Sequence, residues 1–452
     1  MSRFAEAGDF GSAVKLPEPW TPLLRFTNLH QSYHELFENT INTLFYGSGN
    51  LKISTRHYIA IMAATRHRCF FLINLHEREF ERTGGDRKWL KGLTYVDDRK
   101  LSYLDNINMV LAHQPWLCNG DNVNTLVRGP LIPHWSLADL TQAVVILAHT
   151  HALCSFIHAI GAIHPSSVSK CFYWFHIVRT ELASIDVLRS QWSLRDKENN
   201  GEQKGEVEEL LRRMARLKAA VETSEVSPNN AQHFFALADG SNGKYSLAFL
   251  FILFSFYLGS GGDSPIGESG SESPVFSQQM SFAYVDFASR TDHAKTFKSH
   301  EFTWDHGFSL INDLSPDLAQ KLDEKFDLTQ RLTYSFMGGY DNVDTTAYRN
   351  AVWNYIQALF GIRHDDYDYA EVNALLSREM KTFVKTTACF PHRMTDELRS
   401  AVMTEFKASE KIHVVLMIME ARLQASMLYY TRALTNFFAQ TTKLSMQTKP
   451  LD

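Results

Sequence analysis

The sequence predicts an all-α protein built as two related helical halves around a polar middle. Three observations carry that prediction. Apolar residues recur at three- and four-residue steps over most of 21–192 and again over 302–442, which is the period of an amphipathic helix. Few stretches alternate apolar and polar as a half-buried strand does. Between the halves the composition turns charged, then rich in Gly, Ser and Pro. No clean repeat is visible, so the kinship of the halves rests on their shared helical pattern. The expected division is a flexible lead-in at 1–20, an N-terminal helical unit at 21–195, a middle at 196–290, a C-terminal helical unit at 291–445 and a tail at 446–452.

Leu36, Ile41, Leu44 and Phe45 mark a first helix, closed by Gly47–Gly49. A long helix is expected from a Ser54 cap to Arg82, with Tyr58, Met62, Thr65, Cys69, Leu72, His76 and Phe80 on one stripe. Gly84–Gly85 ends it. Others are expected over 136–163 and 171–190. KENNGEQKGE is a charged linker, and 206–222 is an exposed amphipathic helix. The longest apolar run, Leu247–Leu258, is too short to span a bilayer, so it reads as a buried helix. Segments 196–205 and 259–274 have the make-up of disordered tethers. A short extended piece is expected at 282–287. Helices then resume at 307–312, 315–336, 345–360, 368–386, 395–407 and 410–440. Asp344 or Thr345 suits a cap, and Gly361 suits a left-handed C-terminus.

The chain has 452 residues, 44% hydrophobic and 12% aromatic, which argues for packed domains rather than disorder. A net charge of −5 gives no electrostatic footprint for nucleic acid. Cys69, Cys118, Cys154, Cys171 and Cys389 are scattered with no CxxC. That fits free thiols in a reducing cytosol. The expected location is cytoplasmic, with the nucleus as a second compartment.

Three groups of residues stand out. Cys69 and His76 are seven residues apart, so one helix puts them on one face, about 10 Å apart along its axis. A buried thiol is normally inert, but Arg66, His67 and Arg68 lie within a turn, so a core cysteine and a reactive thiol both remain open. His151, Cys154 and His158 lie near one face of another helix. They fall short of the four spaced ligands of structural zinc, and so read as core or interface residues. Finally, the helix ending near Phe360 runs into His364, Asp365, Asp366 and Asp368, interleaved with Tyr367 and Tyr369. That is either a solvated turn or a docking ledge, since aromatics mixed with charge anchor interfaces.

The stretch GIRHDDYDY, preceded by VDTTAYRNAVWNYI and followed by EVNALL, resembles the C-terminal domain of the sestrins. So do DEKFDLTQRLTY, SEKIHV and MEARLQASMLYYTRA, and at the other end YIAIMAATRHRC and HQPWL. The resemblance covers most of 20–440. It implies an N-terminal domain similar to the alkylhydroperoxidase family, in which a thiolate attacks a peroxide and a His relays protons. Cys69 and His76 match the catalytic positions. Leu72 stands at the second cysteine and Phe71 at the relay tyrosine, so a resolving thiol is missing and an outside thiol would be needed. The resemblance further implies an amino-acid site of the leucine-sensing kind. Arg349 matches the carboxylate contact and Glu410 the ammonium contact, with Thr333, Tyr334, Thr345 and His413 at pocket positions. Phe336, Tyr348 and Met403 replace a threonine, a leucine and a tryptophan of the lining. Asp365 and Asp366 match the acids that contact the GATOR subcomplex of the TOR pathway. The implied role is negative regulation of TOR signalling, responsive to an amino acid and protective against reactive oxygen species. The alternative is a Cys69-dependent alkyl hydroperoxide reductase. No cofactor, metal, nucleic acid or membrane span is expected.

Overall fold

A computed structural model describes residues 16–130, 133–161, 205–223, 275–286 and 296–447. Among them the chain is all-α, with fifteen α-helices and four strands of two residues each. The N-terminal helices are α1 (Thr21–Thr27), α2 (Gln31–Ile41), α3 (Ile53–Arg66), α4 (Phe70–Arg82), α5 (Arg99–His113), α6 (Gly120–Val127) and α7 (Leu137–Ile160). α8 (Gly205–Thr223) stands between the halves. Then come α9 (Trp304–Leu314), α10 (Pro316–Thr329), α11 (Thr346–Leu359), α12 (Ala370–Leu375), α13 (Arg378–Cys389), α14 (Asp396–Ser400) and α15 (Ala408–Gln447). The helix expected at 171–190, the apolar run at 247–258 and the tether at 259–274 lie outside the described residues, as does the tether at 196–205 except Gly205.

Two helices form the spine. α7 starts on Ser136, whose hydroxyl accepts from Asp139 N at 3.1 Å, and stops on left-handed Gly161. Such an oxygen at the start and a glycine past the end satisfy backbone groups that a helix leaves orphaned. By length and composition α7 could cross a membrane, yet its apolar window lies wholly inside the protein. α15 packs along it, and one continuous apolar core includes side chains from both halves. α2 packs on α10. There Tyr33 Oη donates to Glu420 Oε1 at 2.5 Å, and Lys325 Nζ lies 2.8 Å from the same oxygen. All three side chains are fully buried. Trp20, within the lead-in expected to be flexible, is buried and its indole N–H donates to Tyr46 Oη at 3.1 Å.

The helix expected over 54–82 is two helices. Arg68 adopts φ 51°, Arg68 N bonds Thr65 O at 3.0 Å and Cys69 N bonds Ala64 O at 3.1 Å. This pair of bonds is a Schellman closure, built on an arginine where glycine is usual. The neighbouring Arg66 guanidinium is drawn onto the carbonyls of Gln278, Gln279 and Phe282 at 2.6, 3.2 and 3.1 Å.

Three more expectations are corrected. The helix drawn over 315–336 stops at Thr329, and β2 (Phe336–Met337) turns back onto β3 (Tyr340–Asp341) as an antiparallel hairpin. The helix drawn over 368–386 is α12 and α13, separated at Leu376 and capped anew by Ser377. Of 395–407 only α14 is helical, and Met403 lies in the left-handed region at φ 55°. Residues 282–286 are non-helical, as expected, but pair in no strand. β1 (Phe297–Lys298) pairs in parallel with β4 (Ile362–Arg363), which fixes the turn after α11.

Candidate functional site

The hairpin β2–β3, the start of α11 and the start of α15 converge on one spot. Thr333, Phe336, Thr345, Tyr348, Arg349, Glu410 and His413 line it. Of the residues expected there, Tyr334 and Met403 are the exceptions. The Tyr334 side chain is exposed and only its carbonyl takes part, accepting from Thr345 Oγ1 at 3.1 Å. Met403 instead lines a neighbouring cavity of about 210 Å³, which shares Tyr348 and Phe406 as walls with the first.

The groups expected to bind an amino acid already have partners. Arg349 donates from Nε to Thr345 Oγ1 at 3.0 Å, from one terminal nitrogen to Thr346 Oγ1 at 2.9 Å, and from the other to the Gln330 carbonyl. Glu410 accepts from Gly338 N at 2.7 Å and from Lys407 N at 2.6 Å. Burial raises its pKa, and the two amides offset part of that rise. His413 Nε2 donates to Thr329 O at 2.6 Å, so Nδ1 is the atom that accepts from Thr333 Oγ1, also at 2.6 Å. Burial lowers the His413 pKa to about 3. At the start of α11 the first N–H bonds to Asp344 Oδ1 at 3.0 Å, so the helix end meets a carboxylate of its own chain. The remaining cavity is about 10 Å³, room for about one water. In this form the seat is closed by its own side chains.

At the far end of α11, Gly361 turns the chain at φ 81°, a conformation that glycine adopts without a Cβ penalty. β4 and Tyr369 then hold the loop. The Tyr369 hydroxyl accepts from His364 N at 3.0 Å, and its ring is buried. The tyrosines expected as outward anchors therefore face inward: Tyr369 is buried and Tyr367 half-buried. The acids point out. Asp366 is 90% exposed. Asp365 is half as exposed and pairs with Lys298 Nζ at 2.9 Å and His300 Nδ1 at 3.6 Å. Its pKa is lowered, chiefly by the Lys298 bond.

Cys69 and His76 are set in different surroundings. His76 Nδ1 lies 3.0 Å from His57 Nδ1, and its ring packs on Phe45 and Trp20 with centroids 4.9 and 5.5 Å away. Cys69 is fully buried at the start of α4. Burial opposes its ionisation, but the Cys154 thiol donates to its sulfur and the His158 imidazole lies beside it, and together they lower its pKa below the ordinary thiol value. Cys154 is raised in turn by burial and by Cys69. Beneath them the buried Arg422 guanidinium donates to Ala112 O at 2.9 Å and lies 3.1 Å from His67 Nε2. Sequence reading grouped Cys154 and His158 but set them apart from Cys69. Their i, i+4 spacing on α7 was the available signal, and the kink that turns Cys69 towards them was not.

The family described as PA26 p53-induced protein (sestrin) matches residues 19–438 of this chain. The chain belongs to the sestrin family. It is 39% identical to Sestrin-3 of Mus musculus over 419 residues, covering 90% of this chain and 83% of that protein. It is 38% identical to Sestrin-1 of Macaca fascicularis over 423 residues, and 37% identical to Sestrin-2 of Homo sapiens over 416. Those two alignments cover 90% of this chain and 81% and 82% of the relatives. Within this sestrin Arg349 and Glu410 each have their own hydrogen-bond partners, and Phe336 and Tyr348, two of the altered lining positions, line the same spot.

Proposed function

We propose that this sestrin restrains TOR complex signalling by holding the GATOR subcomplex through the acidic ledge at Asp365 and Asp366. The observation that carries the reading is the ledge itself: Asp366 projects into solvent from a loop fixed on both sides by β4 and buried Tyr369. A fixed loop offers its charge to a partner at little ordering cost. The amino-acid seat lies at the opposite end of the same helix, α11. A ligand that opens the seat has to break the Arg349 and Glu410 bonds, and so shifts the start of α11. Because Phe336 and Tyr348 fill the lining, leucine binds weakly, and the regulator acts in its partner-holding form. The reading places the protein in the cytoplasm and also in the nucleus, with a part in protection against reactive oxygen species.

The test is expression of the chain in cells stripped of their own sestrins. TOR kinase output during amino-acid withdrawal should fall relative to vector. Unchanged output at matched expression would contradict the reading.

A second reading is favoured by one specific observation, the placing of the Cys154 thiol and the His158 imidazole beside the Cys69 sulfur, which favours its ionised form. A thiolate at neutral pH is the nucleophile that hydroperoxide reduction requires. Cys69-dependent alkyl hydroperoxide reduction can operate alongside docking, since Cys69 and Asp366 belong to different elements.

A further inference from the structure

Cys154 and His158 are one turn apart on α7, and that face is pinned to the joint between α3 and α4. His158 Nε2 donates to the carbonyl of His67, two residues before Cys69, at 3.1 Å. Nδ1 is left without a nitrogen or oxygen partner, and the Cys69 thiol is its polar neighbour. Both thiols are fully buried, but the joint itself reaches the surface. Arg68 and Phe70, on either side of Cys69, are exposed, Phe70 by 55%. Arg68 holds a left-handed backbone, which is strained for a residue with a Cβ. A strained, exposed hinge opens more readily than a helix interior. Across the site, Arg399 donates to His158 O at 3.0 Å and keeps the end of α7 in place. Cys118 makes the contrast: with burial alone acting on it, its thiol is pushed up to about 12.

We propose that Cys69 and Cys154 form a hydroperoxide-driven dithiol–disulfide couple in which Cys154, from α7, is the resolving thiol that α4 lacks at Leu72. The proposal rests on the second reading above. His158 Nδ1 takes the Cys69 proton. The thiolate attacks the outer oxygen of an organic hydroperoxide and the O–O bond breaks. The alkoxide leaves as the alcohol with the proton returned by His158, and Cys69 becomes a sulfenic acid. The Cys154 sulfur then attacks the Cys69 sulfur, the S–O bond breaks, and hydroxide leaves as water with the Cys154 proton. Two thiols and one hydroperoxide give one disulfide, one alcohol and one water. An external dithiol reductant returns the pair to its starting state.

The experiment uses the reduced full chain and one equivalent of cumene hydroperoxide, followed by quenching with N-ethylmaleimide and non-reducing peptide mapping. The expected product is a Cys69–Cys154 linked peptide with little over-oxidised Cys69. In Cys154→Ser the sulfenic acid should instead persist, label with dimedone, and pass to sulfinic acid several-fold more than in wild type. Cys118→Ser, another buried thiol, is the folding-matched control and should form the link normally. Equal over-oxidation of Cys69 in wild type and Cys154→Ser, with no link, overturns the couple but leaves the peroxide reading standing. No oxidation of Cys69 in any variant overturns both.

Discussion

Lys325 belongs to a run, DEKFD, that in sequence looks like a solvated helix face, yet it is fully buried against Glu420 and Tyr33. Removing one member of such a group leaves an uncompensated charge, which costs about 3–5 kcal/mol. Lys325→Met should therefore destabilise the protein by about that amount in denaturant titration. Lys325→Met with Glu420→Leu should recover most of the loss, because no lone charge remains. An equal loss in the single and double variants would show that volume, not charge, matters here. At the seat, residue reading named groups that come together but not the partners they bond. Thr333, Thr345, Arg349, Glu410 and His413 do converge. Their partners, however, include backbone atoms such as Gln330 O, just past α10, and Gly338 N, in the turn of the hairpin, and side-chain identities do not reveal where those atoms lie.

Among elements, helices with ordinary caps were legible and those with unusual stops were not. α7 starts on Ser136, where the expected helix begins, and stops at Gly161, two residues short of the expected 163, while Gly361 closes α11. Arg68 ends α3 without glycine or proline, so periodicity ran straight through it to Arg82. Arg68→Gly should be tolerated or stabilise by up to about 1 kcal/mol, since relief of left-handed strain outweighs the added chain entropy. Arg68→Val should destabilise. Denaturant midpoints of the two variants check this, and a marked loss in Arg68→Gly would mean that the joint is not strained. The hairpin and α11 carry a second test. Phe336 and Tyr348 fill the seat, whereas Met403 faces the adjoining cavity. Phe336→Thr with Tyr348→Leu should give leucine-dependent heat in isothermal titration where wild type gives little, and adding Met403→Trp should change that heat less than either of the first two. No heat from the double or the triple variant would place the block elsewhere.

For the whole molecule, the all-helical class followed from periodicity, while the meeting of α7 with α15 and of α2 with α10 depends on long-range packing that no local pattern encodes. The buried histidines give this packing a pH signature. Burial lowers His57 to about 3, His113 to about 2 and His413 to about 3. In the unfolded chain they titrate near the ordinary value of about 6.5. Below that pH the unfolded state binds protons that the native state refuses, so stability is full above about 6.5 and falls on acidification, by up to about 1.4 kcal/mol per pH unit for each histidine. Denaturant midpoints should drop between pH 7 and pH 5, more steeply than a single histidine allows; a flat profile would contradict this. In the proposed function the ledge is where fold and function meet, because α11 joins the proposed seat to two outward acids. The most direct test is capture of the purified GATOR subcomplex by the full chain against Asp365→Lys/Asp366→Lys. Both proteins should melt alike, as the acids are surface groups, and only the wild type should retain the subcomplex. Equal retention by the charge-reversed protein would contradict docking through the ledge.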